Sequence, residues 1–414
     1  MNTELSVSRK YFLSLVALAV LVPLTGCGGG SSKSDGLSSV GRTAFDWTDT
    51  GRAEKWGPTA GSSRKIAVYF WYPATKPANA TPGPFLDTNQ SAAVEPVLGI
   101  PAATIRSFPT KSYINAAPTT GRAFPVLVMS HGNGMHPLLY NSTAEYLAAR
   151  GYLVVGVAHT YNAAWTLFSD NSLAVSDAGT DPSLVEPQLT PTSGAADFDA
   201  NWRNAAKVDQ EVTADLPFVL DKLAALNAAP GAFQGRIDLD RVGVFGHSFG
   251  GSHAFRMLRE DSRVRAAAVL DGSLINLDFA EGANRPLLIF AGERSTEAEN
   301  AAFRQTLIDG GMTASQADVI VARGESDRKA FENSTDALYI RLTKARHSNF
   351  TDLGLLAAYG VPQDDISTTA PAAALLDTMH QYLVGFFNEK LRGQSAPILR
   401  RTPGSPDVTL ETRP

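Results

Sequence analysis

Residues 242–251 read Val-Gly-Val-Phe-Gly-His-Ser-Phe-Gly-Gly. An apolar run rich in β-formers leads into a glycine turn, and a helix-forming stretch follows. A serine at the tip of such a turn is held in a strained backbone conformation, and neighbouring side chains would clash there. Gly246 and Gly250 remove those side chains. The Ser248 hydroxyl then projects above a sheet, at the N-terminus of the next helix. The Phe249 amide points to where an oxyanion would form. The pattern has this meaning only between a strand and a helix, so the chain around it has to supply both.

It does. Short apolar runs recur at Ile66–Trp71, Pro125–Met129, Leu153–Val157, Val242–Phe245, Ala266–Leu270, Leu287–Ala291 and Ala337–Leu342. Helical patterns lie between them over Thr143–Arg150, Asn204–Leu226, Phe249–Arg259 and Thr296–Leu307, and Ala372–Leu391 closes the series. In the second, Val208, Val212, Leu216, Val219, Leu223 and Leu226 recur every three or four residues. Pro217 is expected to kink or divide that helix. Alternation of this kind predicts a mostly parallel sheet with helices on both faces; with the strand–turn–helix motif at Ser248, the expectation is an α/β-hydrolase fold.

A serine nucleophile needs a general base, and histidine suits neutral pH. In α/β-hydrolases the chain order is serine, acid, histidine. Of seven histidines, His131, His136, His159 and His247 precede Ser248. His253 lies one turn into the nucleophile helix, facing away from the catalytic mouth. His380 sits inside the terminal helix. That leaves His347, in a loop after the last of these strands. Two carboxylates fall between serine and histidine just beyond a strand: Asp271 after Ala266–Leu270, and Glu293 after Leu287–Ala291. Position in the commoner arrangement favours Glu293. Ser130-His131-Gly132-Asn133-Gly134 follows another strand and is expected to supply the second oxyanion amide, from Asn133.

Together these motifs resemble the plasma, or type II, platelet-activating factor acetylhydrolase family and its bacterial relatives, from about Lys65 to Gly354. Ile66–Pro73 is similar to the family's early strand ending in Tyr-Pro. Ser130–Gly134 matches its SHG-x-G turn, Gly246–Gly251 its GHSFGG, and His347-Ser348-Asn349-Phe350-Thr351-Asp352 its H-x-x-F-x-D. Leu270-Asp271-Gly272 falls where the family has its catalytic aspartate, so the resemblance implies Asp271 rather than Glu293. Two features depart from the pattern: Gly272-Ser273 replaces an aromatic that often follows the aspartate, and the Ser248–His347 segment is longer than in the animal enzymes. The resemblance implies a serine carboxylic-ester hydrolase, esterase- or lipase-like, acting on lipid or other acyl esters. Polyester, amide and peptide hydrolysis use the same triad, and a non-catalytic surface lipoprotein on the same scaffold is a further class. No cofactor is expected, since no H-E-x-x-H or similar metal spacing occurs.

The chain carries one cysteine in 414 residues. That excludes an internal disulfide framework and thiolate metal sites. Arg9 and Lys10 precede an apolar run from Tyr11 to about Leu24, too short to span ~30 Å of hydrocarbon, which takes ~20 residues. It ends Leu24-Thr25-Gly26-Cys27, which resembles a bacterial lipobox. That resemblance implies cleavage before Cys27, acyl chains on the cysteine at the new N-terminus, and, with Gly28 rather than Asp next, sorting to an outer membrane. Ser8–Leu13 is also similar to a twin-arginine signal that lacks its second arginine. The expected organisation is a signal over residues 1–26, a Gly/Ser tether over 27–42, one domain over 43–393 and a poorly ordered tail over 394–414. Pro/Ala/Thr-rich residues 74–122 and Ser/Asp/Pro-rich residues 160–202, with Trp165, Phe168 and Trp202, are expected as insertions around the mouth of the site. A formal net charge of −5 offers no surface for nucleic acid. The expected partners are an ester substrate and, through Cys27, a membrane.

Overall fold

The computed structural model describes residues 37–176, 205–272, 274, 281–293, 297–323, 325–361 and 365–414. Cys27, the signal, most of the expected tether and Trp202 lie outside them.

Seven apolar runs become strands: β2 (Ser63–Ala74), β4 (Phe124–Ser130), β5 (Leu153–Ala158), β8 (Ile237–His247), β9 (Val264–Leu270), β10 (Leu287–Ala291) and β11 (Ala337–Leu342). They join β1 (Ser39–Ala53), β3 (Ser112–Ile114) and β12 (Val408–Arg413) in one ten-stranded sheet, ordered β12-β11-β10-β9-β8-β4-β5-β2-β1-β3. The six strands from β11 to β5 are parallel. β2 runs antiparallel to β5, and β12 antiparallel to β11.

Alternate residues of the central strands enter two different cores. Leu127, Met129, Phe245, Ala268, Leu270, Leu288 and Phe290 face one side, against α3 (Asn141–Ala149) and α11 (Ala372–Arg392). Val126, Val128, Val242, Val244, Ala267, Val269, Leu287 and Ile289 face the other, against α5 (Asp215–Ala228) and α6 (Phe249–Glu260). Burial on both faces is why these strands read as continuous apolar runs rather than alternating ones.

Pro217 has the expected effect. The long helical pattern divides into α4 (205–213) and α5, with the break at Ala214. Proline at position 217 cannot donate to residue 213, so the ladder is interrupted there.

Two expected boundaries need correction. The expected tether ends at residue 42, but β1 begins at Ser39, which pairs with Ala74 of β2, and Val40 and Arg42 are buried. The tail over 394–414 is a 3₁₀ turn (Pro397–Leu399) followed by β12, registered from Ala337↔Arg413 to Leu342↔Val408. The side chains of β12 are exposed or half-buried, so backbone pairing holds this edge and leaves little hydrophobic pattern to read. Residues 74–122, expected as an insertion, carry secondary structure of their own: α1 (Thr88–Leu98), α2 (Ala102–Arg106) and β3, among which Phe85, Leu86, Val94, Ile105 and Phe108 are buried. They extend the β1 edge of the sheet, and Phe108 meets Tyr359, beyond His347, with ring centroids 5.5 Å apart.

The connection from β4 goes to β5 on one side, while β8 lies on β4's other side and leads to β9. Connections leave β4 and β8 in opposite directions, so the crevice beyond their C-terminal ends is a topological switch point, where open α/β sheets build sites. Register levels the strand ends there. Ser130 pairs with Gly246, His247 with Leu270, and Leu270 with Phe290.

Candidate active site

At the end of β8 the chain turns at Ser248 with φ 54° and ψ −122°, and α6 starts at the next residue. A non-glycine residue there stores roughly 1–3 kcal/mol of strain. The flanking glycines make the turn possible. A Cβ on Gly246 would lie 2.0 Å from the Gly250 carbonyl oxygen, and one on Gly250 would lie 2.2 Å from that of Ser130. No side chain fits either gap.

His347 and Asp271 come together. His347 Nδ1–H donates to Asp271 Oδ2 at 2.7 Å, and the Gly292 amide donates to Oδ1 at 2.8 Å. Both carboxylate oxygens are engaged, which fixes the plane presented to the imidazole. His347 opens a 3₁₀ turn (His347–Phe350) beyond β11. Asn349 pins that turn, its side-chain oxygen accepting from the amides of Arg346 at 2.8 Å and Ser367 at 2.9 Å. Asp352 accepts from the Ser142 amide at 2.8 Å and from the Ser142 hydroxyl, tying the turn to α3. Burial pushes the Asp352 carboxyl up to about 7.

Glu293 goes elsewhere. Its side chain is 57% exposed and pairs with Arg346 at 3.5 Å, whereas that of Asp271 is 14% exposed. The structure brings Asp271, not Glu293, to the imidazole. The two follow adjacent strands: Asp271 comes directly after β9, whereas β10 ends at Ala291 and Gly292 intervenes before Glu293.

The loop after β4 lies against Ser248. A Cβ on Gly132 would come 3.2 Å from Ser248 Cβ. The Gly132 carbonyl accepts from His131 Nδ1–H at 2.7 Å and from the Met135 amide at 3.0 Å. A trans peptide is planar, so fixing that carbonyl also fixes the Asn133 N–H on the same plane. Asn162 Nδ2 donates to Asn133 Oδ1 at 2.8 Å, and the Asn162 carbonyl accepts from the Gly134 amide at 3.1 Å. Among the described residues, the Asn133 and Phe249 amides have no hydrogen-bond partner, while that of Gly132 donates to Tyr140 Oη at 3.0 Å. Two free amides, one on the half-buried loop after β4 and one at the buried start of α6, are an anion-binding arrangement.

Beneath the turn lies a buried polar array. Ser130 Oγ sits 2.9 Å from His159 Nε2 and 2.8 Å from His253 Nδ1. His159 Nδ1–H donates to Asp215 at 2.9 Å. Arg64 grips Asp215 with two bonds of 2.6 and 2.7 Å and reaches Glu54 at 2.8 Å. Burial holds His131, His136, His159, His247, His253 and His380 below the ordinary histidine range, so these side chains are neutral near pH 7. Asp215 is held well below the usual carboxylate range by Arg64, against its burial. Of the chain's seven histidines, only His347 stands as exposed as 37%.

Tyr140, His131, Asn162 and Asn349 were not singled out as functional from sequence. His131 and Asn349 fall inside the quoted motifs; Tyr140 and Asn162 carry no local signal. Among the described residues, no group of three or more His, Cys, Asp or Glu side chains could hold a metal ion, and no helix is long and apolar enough to cross a membrane.

The chain is similar to platelet-activating factor acetylhydrolases of Canis lupus familiaris (26% identical, covering 47% of this chain and 46% of the relative) and Gallus gallus (27%, covering 46% and 49%). These alignments span about half the length of those relatives. A probable 1-alkyl-2-acetylglycerophosphocholine esterase of Arthroderma benhamiae is 27% identical, covering 40% of this chain and 35% of its own. Among solved structures, a ferulic acid esterase from Streptomyces cinnamoneus superposes with a TM-score of 0.68 at 27% identity, covering 92% of this chain and 98% of that one. It carries the α/β-hydrolase reading over nearly the whole fold. The sequence model of the isoform II platelet-activating factor acetylhydrolase family matches residues 89–364, about two thirds of the chain and all of the site, and the chain belongs to that family.

Proposed function

We propose that the chain is an exported serine carboxylic-ester hydrolase that works through an acyl-enzyme. The observation that carries this is the 2.7 Å Asp271–His347 bond, on the loop edge where Ser248 is held in its strained turn. His347 Nε2 takes the Ser248 proton as Oγ attacks the ester carbonyl. The Asn133 and Phe249 amides receive the oxyanion; one such donor is worth ~3–4 kcal/mol in the transition state. Asp271 keeps the Nδ1–H tautomer and stabilises the imidazolium. His347 then protonates the leaving alcohol, and water releases the acyl group by the same steps.

The relatives' names support esters of different acids: an acetyl ester of a glycerophospholipid in one case, a ferulic acid ester in the other. The shared chemistry is a carboxylic ester, and we propose a lipid or other acyl ester as substrate. A series of p-nitrophenyl esters from acetyl to long acyl, with a hydroxycinnamoyl ester and matched p-nitroanilides, tests the reading. Esters are hydrolysed and anilides are not; turnover of anilides at comparable rates would make this an amide hydrolase. We also propose acylation of Cys27 and anchoring to the bacterial envelope, supported by Leu24-Thr25-Gly26-Cys27 after a short apolar run. Cys27→Ser should move the protein out of the membrane fraction; unchanged fractionation would remove the anchor from the account.

A further inference from the structure

Three buried groups link the two halves of the site. The Gly132 amide donates to Tyr140 Oη at 3.0 Å, Tyr140 Oη lies 2.9 Å from His247 Nδ1, and His247 Nε2 lies 3.0 Å from the His347 carbonyl oxygen. The protons can be assigned. A carbonyl only accepts, so His247 Nε2 carries the hydrogen. Neutral imidazole then leaves Nδ1 as an acceptor, and the tyrosine hydroxyl donates to it. His247 and Tyr140 are both buried, at 3% and 1% exposure. Desolvation and the neighbouring His347 hold His247 down at about 3, so this single tautomer persists wherever His347 works. The rings of His247 and His347 are 4.5 Å apart between centroids.

We infer that Tyr140 and His247 are positioning residues that couple the oxyanion loop to the loop carrying the base, through one hydrogen-bonded chain passing beside the nucleophile. Every bond in it runs the same way, from the Gly132 amide to the His347 carbonyl. Its ends are backbone groups of the two loops whose separation sets how Ser248, the oxyanion amides and the imidazole meet. The inference rests on the ester-hydrolase reading above. It adds that neither loop holds its catalytic position independently of the other.

Two substitutions cut the chain at the same joint. Tyr140→Phe removes the hydroxyl and keeps the ring. His247→Gln keeps a donor within reach of the His347 carbonyl and loses the acceptor for Tyr140. Each should lower kcat on p-nitrophenyl acetate by ~10- to 100-fold, as loss of positioning does. KM should stay within about two-fold and the melting temperature near that of the wild type. The double variant should be no slower than the slower single one, because both break one link. His247→Asn, which retains an acceptor near Nδ1 but cannot reach His347, should lower kcat as well. Wild-type kcat in Tyr140→Phe, or single effects that multiply in the double variant, would overturn the coupling. Ser248→Ala is run beside them: full hydrolysis in that variant would overturn the ester-hydrolase reading itself, whereas an inactive Ser248→Ala with unaffected Tyr140→Phe would overturn only the coupling.

Discussion

Replacing Asp271 by asparagine tests the identity of the acid with almost no change of shape. In the native site Oδ1 accepts from the Gly292 amide at 2.8 Å, and Oδ2 accepts from His347 Nδ1–H at 2.7 Å. The Gly292 amide can only donate, so the asparagine oxygen must stay opposite it. The new NH₂ group then faces His347 Nδ1 and donates to it. The imidazole is forced to carry its proton on Nε2, the nitrogen that should accept from Ser248. Tautomer inversion of this kind in a serine–histidine–aspartate triad costs ~10⁴-fold in kcat, which is ~5 kcal/mol at ~1.4 kcal/mol per decade. Stability should hardly move, since both hydrogen bonds are replaced rather than deleted. The assay is kcat for p-nitrophenyl acetate on purified Asp271→Asn and Glu293→Gln, with thermal melts for each. The first should lose three to four decades and the second less than a factor of about two, because the Glu293 side chain is exposed and pairs with Arg346 rather than with the imidazole. Activity within ten-fold of wild type for Asp271→Asn, with a large loss for Glu293→Gln, would refute the tautomer argument and move the acid one strand along the sheet.

The buried array beneath the turn makes its own predictions. Arg64→Met removes the fully buried counter-charge of Asp215 and Glu54 and should cost ~3–5 kcal/mol in urea unfolding; a loss below about 1 kcal/mol would show that Arg52, which also reaches Asp215 at 2.6 Å, and His159 suffice. Gly250→Ala places a Cβ 2.2 Å from the Ser130 carbonyl oxygen. It should abolish turnover and lower the melting temperature, and a variant with wild-type kcat would contradict the packing of the turn. Acid should destabilise the fold. His131, His247 and His380 titrate at about 3 in the native state against 6.5 unfolded, so between those values the unfolded chain binds more protons. Stability is present above 6.5 and is lost as pH falls, by about 2 kcal/mol per histidine at pH 5. Asp352, raised to about 7, works in the opposite sense and offsets about one of them. Urea unfolding at pH 5 should therefore give a lower free energy than at pH 7.5; an equal or higher value would contradict the neutral assignment of these histidines.

Much of the site was legible because its constraints are local. The strand, glycine turn and helix around Ser248 are contiguous in sequence, and Gly246 and Gly250 are demanded by gaps of 2.0 and 2.2 Å that no side chain fills. The parallel strands were legible because both their faces are buried. Asp271 against Glu293 could not be decided from the residues alone. Both end adjacent strands, and the difference lies in one extra residue, Gly292, before the glutamate turns outward. Tyr140 and Asn162 were invisible because their bonds reach His247 and Asn133, 107 and 29 residues away. β1 and β12 escaped for another reason. β12 lies at one edge of the sheet and β1 next to the other, with β3 covering only Val40–Arg42 of it; held by backbone pairing, with sequences such as Thr-Asp-Thr-Gly-Arg, they show little of the apolar patterning that marks a strand.

The central claim is that Ser248 is the nucleophile of an ester hydrolase. The most direct measurement is fluorophosphonate labelling of the wild type and of Ser248→Ala, with the adduct located by peptide mass spectrometry and p-nitrophenyl ester hydrolysis followed in parallel. One equivalent of label is expected on the peptide containing Gly246-His247-Ser248-Phe249-Gly250, with complete loss of hydrolysis on labelling, and neither label nor turnover in Ser248→Ala. Equal labelling of both proteins, or undiminished hydrolysis by Ser248→Ala, would contradict that claim.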